Sequence, residues 1–146
     1  MECITFKSET MVQATTIEQS KKLIELGIDV NTADMNYCNS SYKGKDYVGE
    51  WKLSLQSPQE AKSILDKSVT DWNTYWEIIP AWSLSALLDL IPYPSLSELC
   101  FDTKVWRCDI YYNDGDVRKH GDTFNSPIDA TYSMLCYLLE NKLIKY

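Results

Sequence analysis

The stretch Ile79-Pro80-Ala81-Trp82-Ser83-Leu84-Ser85-Ala86-Leu87-Leu88-Asp89-Leu90-Ile91-Pro92 decides how this chain is read. Two prolines bracket a short apolar helix, and a helix of that length is marginal in water unless it is buried in a core. Leu84, Leu87, Leu88 and Ile91 fall at helical spacing and are expected to face inward, with Asp89 on the exposed side. Ser83, or the residue before it, is placed to cap the helix. Pro92 and Pro94 forbid its continuation, because neither has a backbone donor.

Upstream, the spacing predicts a helix from about Thr16 to Leu26. Thr15 and Glu18 are spaced as a capping box, and Ile17, Leu23, Ile24 and Leu26 supply the apolar face. Gly27 followed by apolar Ile28 matches a left-handed helix terminus. Val30 to Met35 is expected to run extended. From Tyr37 to Gln56 the pattern turns to alternation, with Tyr47, Gly49, Trp51, Leu53 and Leu55 on one face, which reads as a half-buried strand. Lys43-Gly44-Lys45 offers the turn to a partner strand over Tyr37 to Tyr42. Ser57-Pro58-Gln59-Glu60 can open a short helix through Leu65.

Downstream, Trp106, Cys108, Ile110 and Tyr112 alternate against Arg107, Asp109 and Tyr111, and Asn113-Asp114-Gly115-Asp116 is a hairpin turn signal. In the last helix Ser126 caps, Pro127 takes the first position and Asp129 complements the dipole, with an end near Asn141. Ile128, Tyr132, Leu135 and Leu139 form one apolar stripe, and Met134 with Leu138 an adjacent one. Helices mixed with antiparallel hairpins predict an α+β fold: one domain over residues 1–146, a mostly antiparallel sheet of hairpins with about three helices packed on it.

Composition bounds function. The 21 acidic and 14 basic residues give a net charge of −7, and the pI is near 4.6. Direct nucleic-acid binding needs clustered Lys and Arg, and no basic stripe is visible. No apolar run approaches the ~20 residues of a membrane span, and Met1-Glu2-Cys3-Ile4 lacks the basic segment and apolar run of a secretory signal. The five cysteines, an odd number with no close pair, read as reduced thiols. The expectation is a cytoplasmic protein.

No residue pattern supports a catalytic or metal site, and no cofactor is expected. His120 is the only histidine, which leaves at most a pairing with Cys100 or Cys108, and nothing in the sequence orients such a pair. Zinc would need cysteines in closer pairs, and the segment around Asp114 places Tyr112 and Ile110 where calcium requires oxygen ligands. Aromatic residues are the remaining signal, for Trp72, Tyr75, Trp76 and Trp82 crowd together and Trp and Tyr anchor protein interfaces. Trp72, Tyr75 and Trp76 are therefore the candidate binding residues.

Three segments resemble an uncharacterised family of short proteins from phages and mobile elements of gut Bacteroidetes. They contain Lys22-Leu23-Ile24-Glu25-Leu26-Gly27-Ile28 with Thr32-Ala33-Asp34-Met35, then Ile79-Pro80-Ala81-Trp82-Ser83-Leu84, and last Ser126-Pro127-Ile128-Asp129-Ala130 with Leu138-Leu139-Glu140-Asn141. The shared parts are structural and carry over no catalytic residue. The missing catalytic patterns and the surplus aromatics point to a non-enzymatic protein-interaction module with an unidentified protein partner, and the resemblance implies that a phage or mobile element encodes it. The alternatives are an acidic mimic of nucleic acid that inhibits a host or defence enzyme, and a small Cys/His-dependent enzyme. A homodimer face is open to the same aromatic residues.

Overall fold

The computed structural model describes residues 14–42, 50–68, 74–99, 105–111 and 117–144, with the backbone alone at 40–42, 67–68, 74–76 and 117–118. Helix α1 (Ile17–Glu25) opens on a capping box, but one residue later than the spacing predicts. Thr16 Oγ1 accepts the Gln19 N–H at 3.1 Å, and Gln19 Oε1 accepts the Thr16 N–H at 3.0 Å. Thr15 is not free to cap, because it is buried, with its hydroxyl hydrogen-bonded to Ser20 at 2.8 Å and accepting the Trp82 N–H at 3.1 Å.

The helix ends as expected. Gly27 takes φ +98°, its N–H reaches the Ile24 carbonyl at 3.0 Å, and the Ile28 N–H reaches that of Leu23 at 3.1 Å. Leu23 and Ile28 are buried in the same core, the contact that accompanies this terminus. Beyond it, Val30–Thr32 forms a 3-10 turn and not the extended run expected. Asp29 caps that turn by accepting the Asn31 N–H at 2.9 Å, a local bond that competes with extension.

The first antiparallel sheet has the order β2-β1-β3, from β1 (Met35–Tyr42), β2 (Lys52–Ser54) and β3 (Thr74–Ala81). Tyr37 lies opposite Leu53 on one side and Ile79 on the other. Among the described residues of the expected long alternating strand up to Gln56, Lys52–Ser54 forms strand, and Leu55 is 79% exposed. Alternation signals a strand, but no core layer covers that face at Leu55. Lys43-Gly44-Lys45, Tyr47 and Gly49 lie outside the described residues. Helix α2 (Pro58–Ser68) runs past the expected Leu65 and buries Ala61.

Pro80 does not border the bracketed helix. It sits in β3, an edge strand, where a missing donor is tolerated. Helix α3 (Leu84–Leu90) starts after Ser83, whose hydroxyl accepts the Ala86 N–H at 3.2 Å. Its core face is Ala86, Leu87, Leu90 and Ile91. Leu84 is only partly buried against that core and Leu88 half-buried. The face is rotated from the expected one because the helix stops at Leu90 and Ile91 turns extended into the core.

The second antiparallel sheet holds β4 (Pro94–Leu99), β5 (Val105–Tyr111), β6 (Val117–Lys119) and β7 (Thr123–Phe124). Strand β4 pairs with one edge of β5, while β6 and β7 follow each other along the opposite edge. The Asn113–Asp116 turn signal lies outside the described residues. Helix α4 (Pro127–Glu140) starts as predicted, with Ser126 Oγ accepting the Asp129 N–H at 3.4 Å and Pro127 in the first turn.

The fold is α+β, as expected, with two corrections. Among the described residues there are two small antiparallel sheets where one was expected, and four α-helices where about three were. The chain leaves the first sheet at Trp82 and passes through α3 before the second begins, so β3 and β4 never pair. The main core joins α1, α3 and α4 to β5 around Trp82, Leu87, Leu135 and Leu138, and a smaller one of Ala14, Met35 and Ala81 lies by the first sheet. Leu87 is fully buried and Asp89 exposed. Leu87→Ala should therefore cost about 2–5 kcal/mol, and Asp89→Ala no more than about 0.5 kcal/mol, as read from urea midpoints.

Candidate functional site

The break between β6 and β7 is closed by a buried carboxylate. Asp109, on β5, is 1% exposed. It accepts the Gly121 N–H on Oδ1 at 3.0 Å and the Arg107 Nε–H on Oδ2 at 3.1 Å, and His120 Nδ1 lies 3.5 Å from Oδ2. A carboxylate this buried needs such partners. Gly121 is required here for space, since a Cβ would stand 2.2 Å from the Cys108 carbonyl oxygen.

Cys108 faces the core on the other side of β5, fully buried. Burial pushes its thiol from 9.0 up to about 11, with the nearby Asp109 charge adding to the rise against a hydrogen bond to Thr131. An activated thiol shifts the opposite way. His120 is directed at Asp109 and its side chain is 61% exposed, so the structure does not bring Cys108 and His120 together as a nucleophile and base. Cys100, the other expected partner, lies outside the described residues. Cys38, Cys108 and Cys136 are free thiols, and among the described residues no group of three or more His, Cys, Asp or Glu could hold a metal ion.

A groove lies elsewhere, between α1 and α4. Helix α4 presents two stripes. One, built on Ile128, Met134, Leu135 and Leu138, is buried in the core. The other, Asp129, Tyr132, Ser133, Cys136, Tyr137 and Glu140, follows the same three- and four-residue spacing and lines a groove of about 520 Å³. Gln19 and Lys22 of α1 and Phe124 of β7 complete its wall. Polar ties link the two helices across it: Gln19 Nε2 donates to Asp129 Oδ1 at 2.8 Å, and Lys22 Nζ stands 3.8 Å from Glu140 Oε1.

Inside the groove, Tyr132 and Cys136 are hydrogen-bonded to each other, and burial raises both above their ordinary values. Both stay neutral near pH 7 and act as packing surface and neutral hydrogen-bonding groups. The ammonium of Lys119 lies 4.7 Å from the centre of the Tyr137 ring, within cation–π range. The groove is thus walled by aromatic rings, with a carboxylate near each end of the α4 stripe.

Of the expected binding residues, Trp72 lies outside the described residues. Tyr75 and Trp76 are placed by their backbone on β3, opposite Ser41 and Ser40. Sequence reading missed the groove because it assigned Tyr132 to a core stripe with Ile128, Leu135 and Leu139. The available signal was the second stripe of α4, where aromatic, thiol and acidic residues recur at helical spacing beside the purely apolar one.

Two measurements test these assignments. Gly121→Ala should lower stability by about 1–3 kcal/mol, as forced overpacking does, in a urea melt. Between pH about 9 and about 11 the unfolded state loses the Cys108 proton while the folded state keeps it. Stability therefore falls as pH rises through that window, and Cys108→Ala should show a shallower fall in denaturant midpoint. No protein-family profile, curated protein or solved structure matches this chain.

Proposed function

We propose that this protein is a non-enzymatic interaction module that engages a protein partner through the α1/α4 groove. One observation carries the reading: α4 turns a full stripe with two tyrosines and a cysteine toward a notch that no other element among the described residues fills. Tyrosine in a partly desolvated notch is a typical interface anchor, offering large contact area at low entropic cost. The proposal includes a phage or mobile-element origin and a cytoplasmic setting, which rest on the sequence resemblance and on the charge and cysteine content. Among the described residues no helix is long and apolar enough to cross a membrane.

The net charge of −7 favours a second reading, in which the acidic surface imitates nucleic acid in the basic groove of a host or defence enzyme. The two differ in salt dependence. A mimic held by many exposed charges loses affinity steeply as salt is raised, because screening acts over about 10 Å at 0.1 M, whereas contacts to the tyrosines persist.

Affinity capture with the wild-type chain and with Ser133→Trp tests the groove reading. Ser133 lines the groove and is only half-buried, so the variant fills the notch without entering the core. The expected outcome is a bound partner that is lost with Ser133→Trp while the thermal midpoint stays near wild type. The same partner on both proteins, or robust turnover of a metabolite by the pure protein, would overturn the reading.

A further inference from the structure

The groove is chemically specific enough to indicate what occupies it. Asp129 and Glu140 stand near the two ends of the α4 stripe, about three turns or ~16 Å apart at the ~1.5 Å rise of a helix. Asp129 Oδ1 is taken by Gln19, while its other oxygen has no hydrogen-bond partner among the described residues. Glu140 meets Lys22 only at 3.8 Å, and both side chains are about half exposed, so that pair is weak and easily exchanged. Between the carboxylates lie Tyr132 and Tyr137, and the Tyr137 ring already accepts a cation from Lys119 on one of its faces.

Two acids with aromatic surface between them, on a chain of net charge −7, complement a positively charged ligand. We propose that the groove binds a basic peptide segment. Two cationic side chains four residues apart in an extended chain, on the same face and ~13 Å apart at ~3.3 Å per residue, reach Asp129 and Glu140 through their long side chains, and an apolar or aromatic residue midway between them, on that same face, lies on Tyr132 and Tyr137. Lys22 is the resident competitor for Glu140, and an incoming guanidinium displaces it with a bidentate contact that an ammonium does not make. This assignment rests on the reading of the protein as an interaction module and adds the chemistry of its partner.

Fluorescence anisotropy tests it with a labelled Gly-Arg-Ala-Tyr-Ala-Arg-Gly peptide, against one with both arginines replaced by glutamate and one with the arginines adjacent. The wild-type chain should prefer the spaced arginine peptide. Glu140→Gln and Asp129→Asn should each weaken it about three- to tenfold, the loss of a partly shielded charged contact. Lys22→Ala should strengthen it about twofold or more. Asp129 also serves the first turn of α4, so Glu140→Gln decides if Asp129→Asn loosens the fold. Equal binding of the glutamate or adjacent-arginine peptide, or of the spaced peptide to Ser133→Trp, would show unspecific attraction and overturn the proposal. If Ser133→Trp abolishes capture of a partner but the arginine peptide neither binds nor competes with that partner, the interaction reading stands and the basic ligand is wrong.

Discussion

The fold depends on the corner at Trp82 and Ser83. The indole is fully buried, the largest such side chain among the described residues, and its Nε1–H donates to Thr32 Oγ1 at 2.9 Å. Its backbone is held on both sides of the peptide unit, since the Trp82 N–H donates to Thr15 Oγ1 and the Trp82 carbonyl accepts the Thr15 N–H at 2.9 Å. Ser83 then donates its N–H to Asp34 Oδ1 at 2.9 Å and shares a hydroxyl hydrogen bond with the other Asp34 oxygen. One dipeptide thereby ties the entry to α1, the 3-10 turn, the start of β1 and the cap of α3. Every polar group of the indole and its peptide is satisfied, which is what permits a tryptophan to be buried completely.

The same corner explains why the groove exists. Thr15 and Ser20 are spent on Trp82 and on each other, and Leu23 on the core, so α1 is anchored through the face that holds those residues. Gln19 and Lys22 are left to reach α4 with polar ends in place of apolar contacts. Helix α4 is fixed independently, by its apolar stripe against β5 and α3. Two helices secured to different parts of the core leave a notch between them, and the residues facing it are under no demand to be apolar.

Much of the local structure was legible in the sequence. The ends of α4, the Gly27 terminus of α1 and the Ser83 cap depend on side chain to backbone bonds within a few residues, and such signals survive in any tertiary setting. Where tertiary bonds compete, local reading failed. Thr15 was the expected cap, yet its hydroxyl is taken by Trp82, a residue far away in sequence, and the cap moved to Thr16. Periodicity places Tyr132 in an apolar stripe, and its side chain packs partly against the core while its remaining surface lines the groove. The candidate site was barely legible, since aromatic crowding pointed to Trp72, Tyr75 and Trp76 and could not indicate which faces of the fold lack a covering layer.

The sequence by itself determined the α+β class, the position of most elements, the acidic charge and the burial of the helix between Trp82 and Pro92, because periodicity, capping and turn chemistry act over one or two turns of chain. Tertiary structure alone decided that the described strands divide into two sheets, that His120 faces Asp109 and not Cys108, and that a second stripe of α4 lines a groove. Those outcomes depend on contacts such as Gln19 with Asp129, which are remote in sequence and which no local pattern encodes.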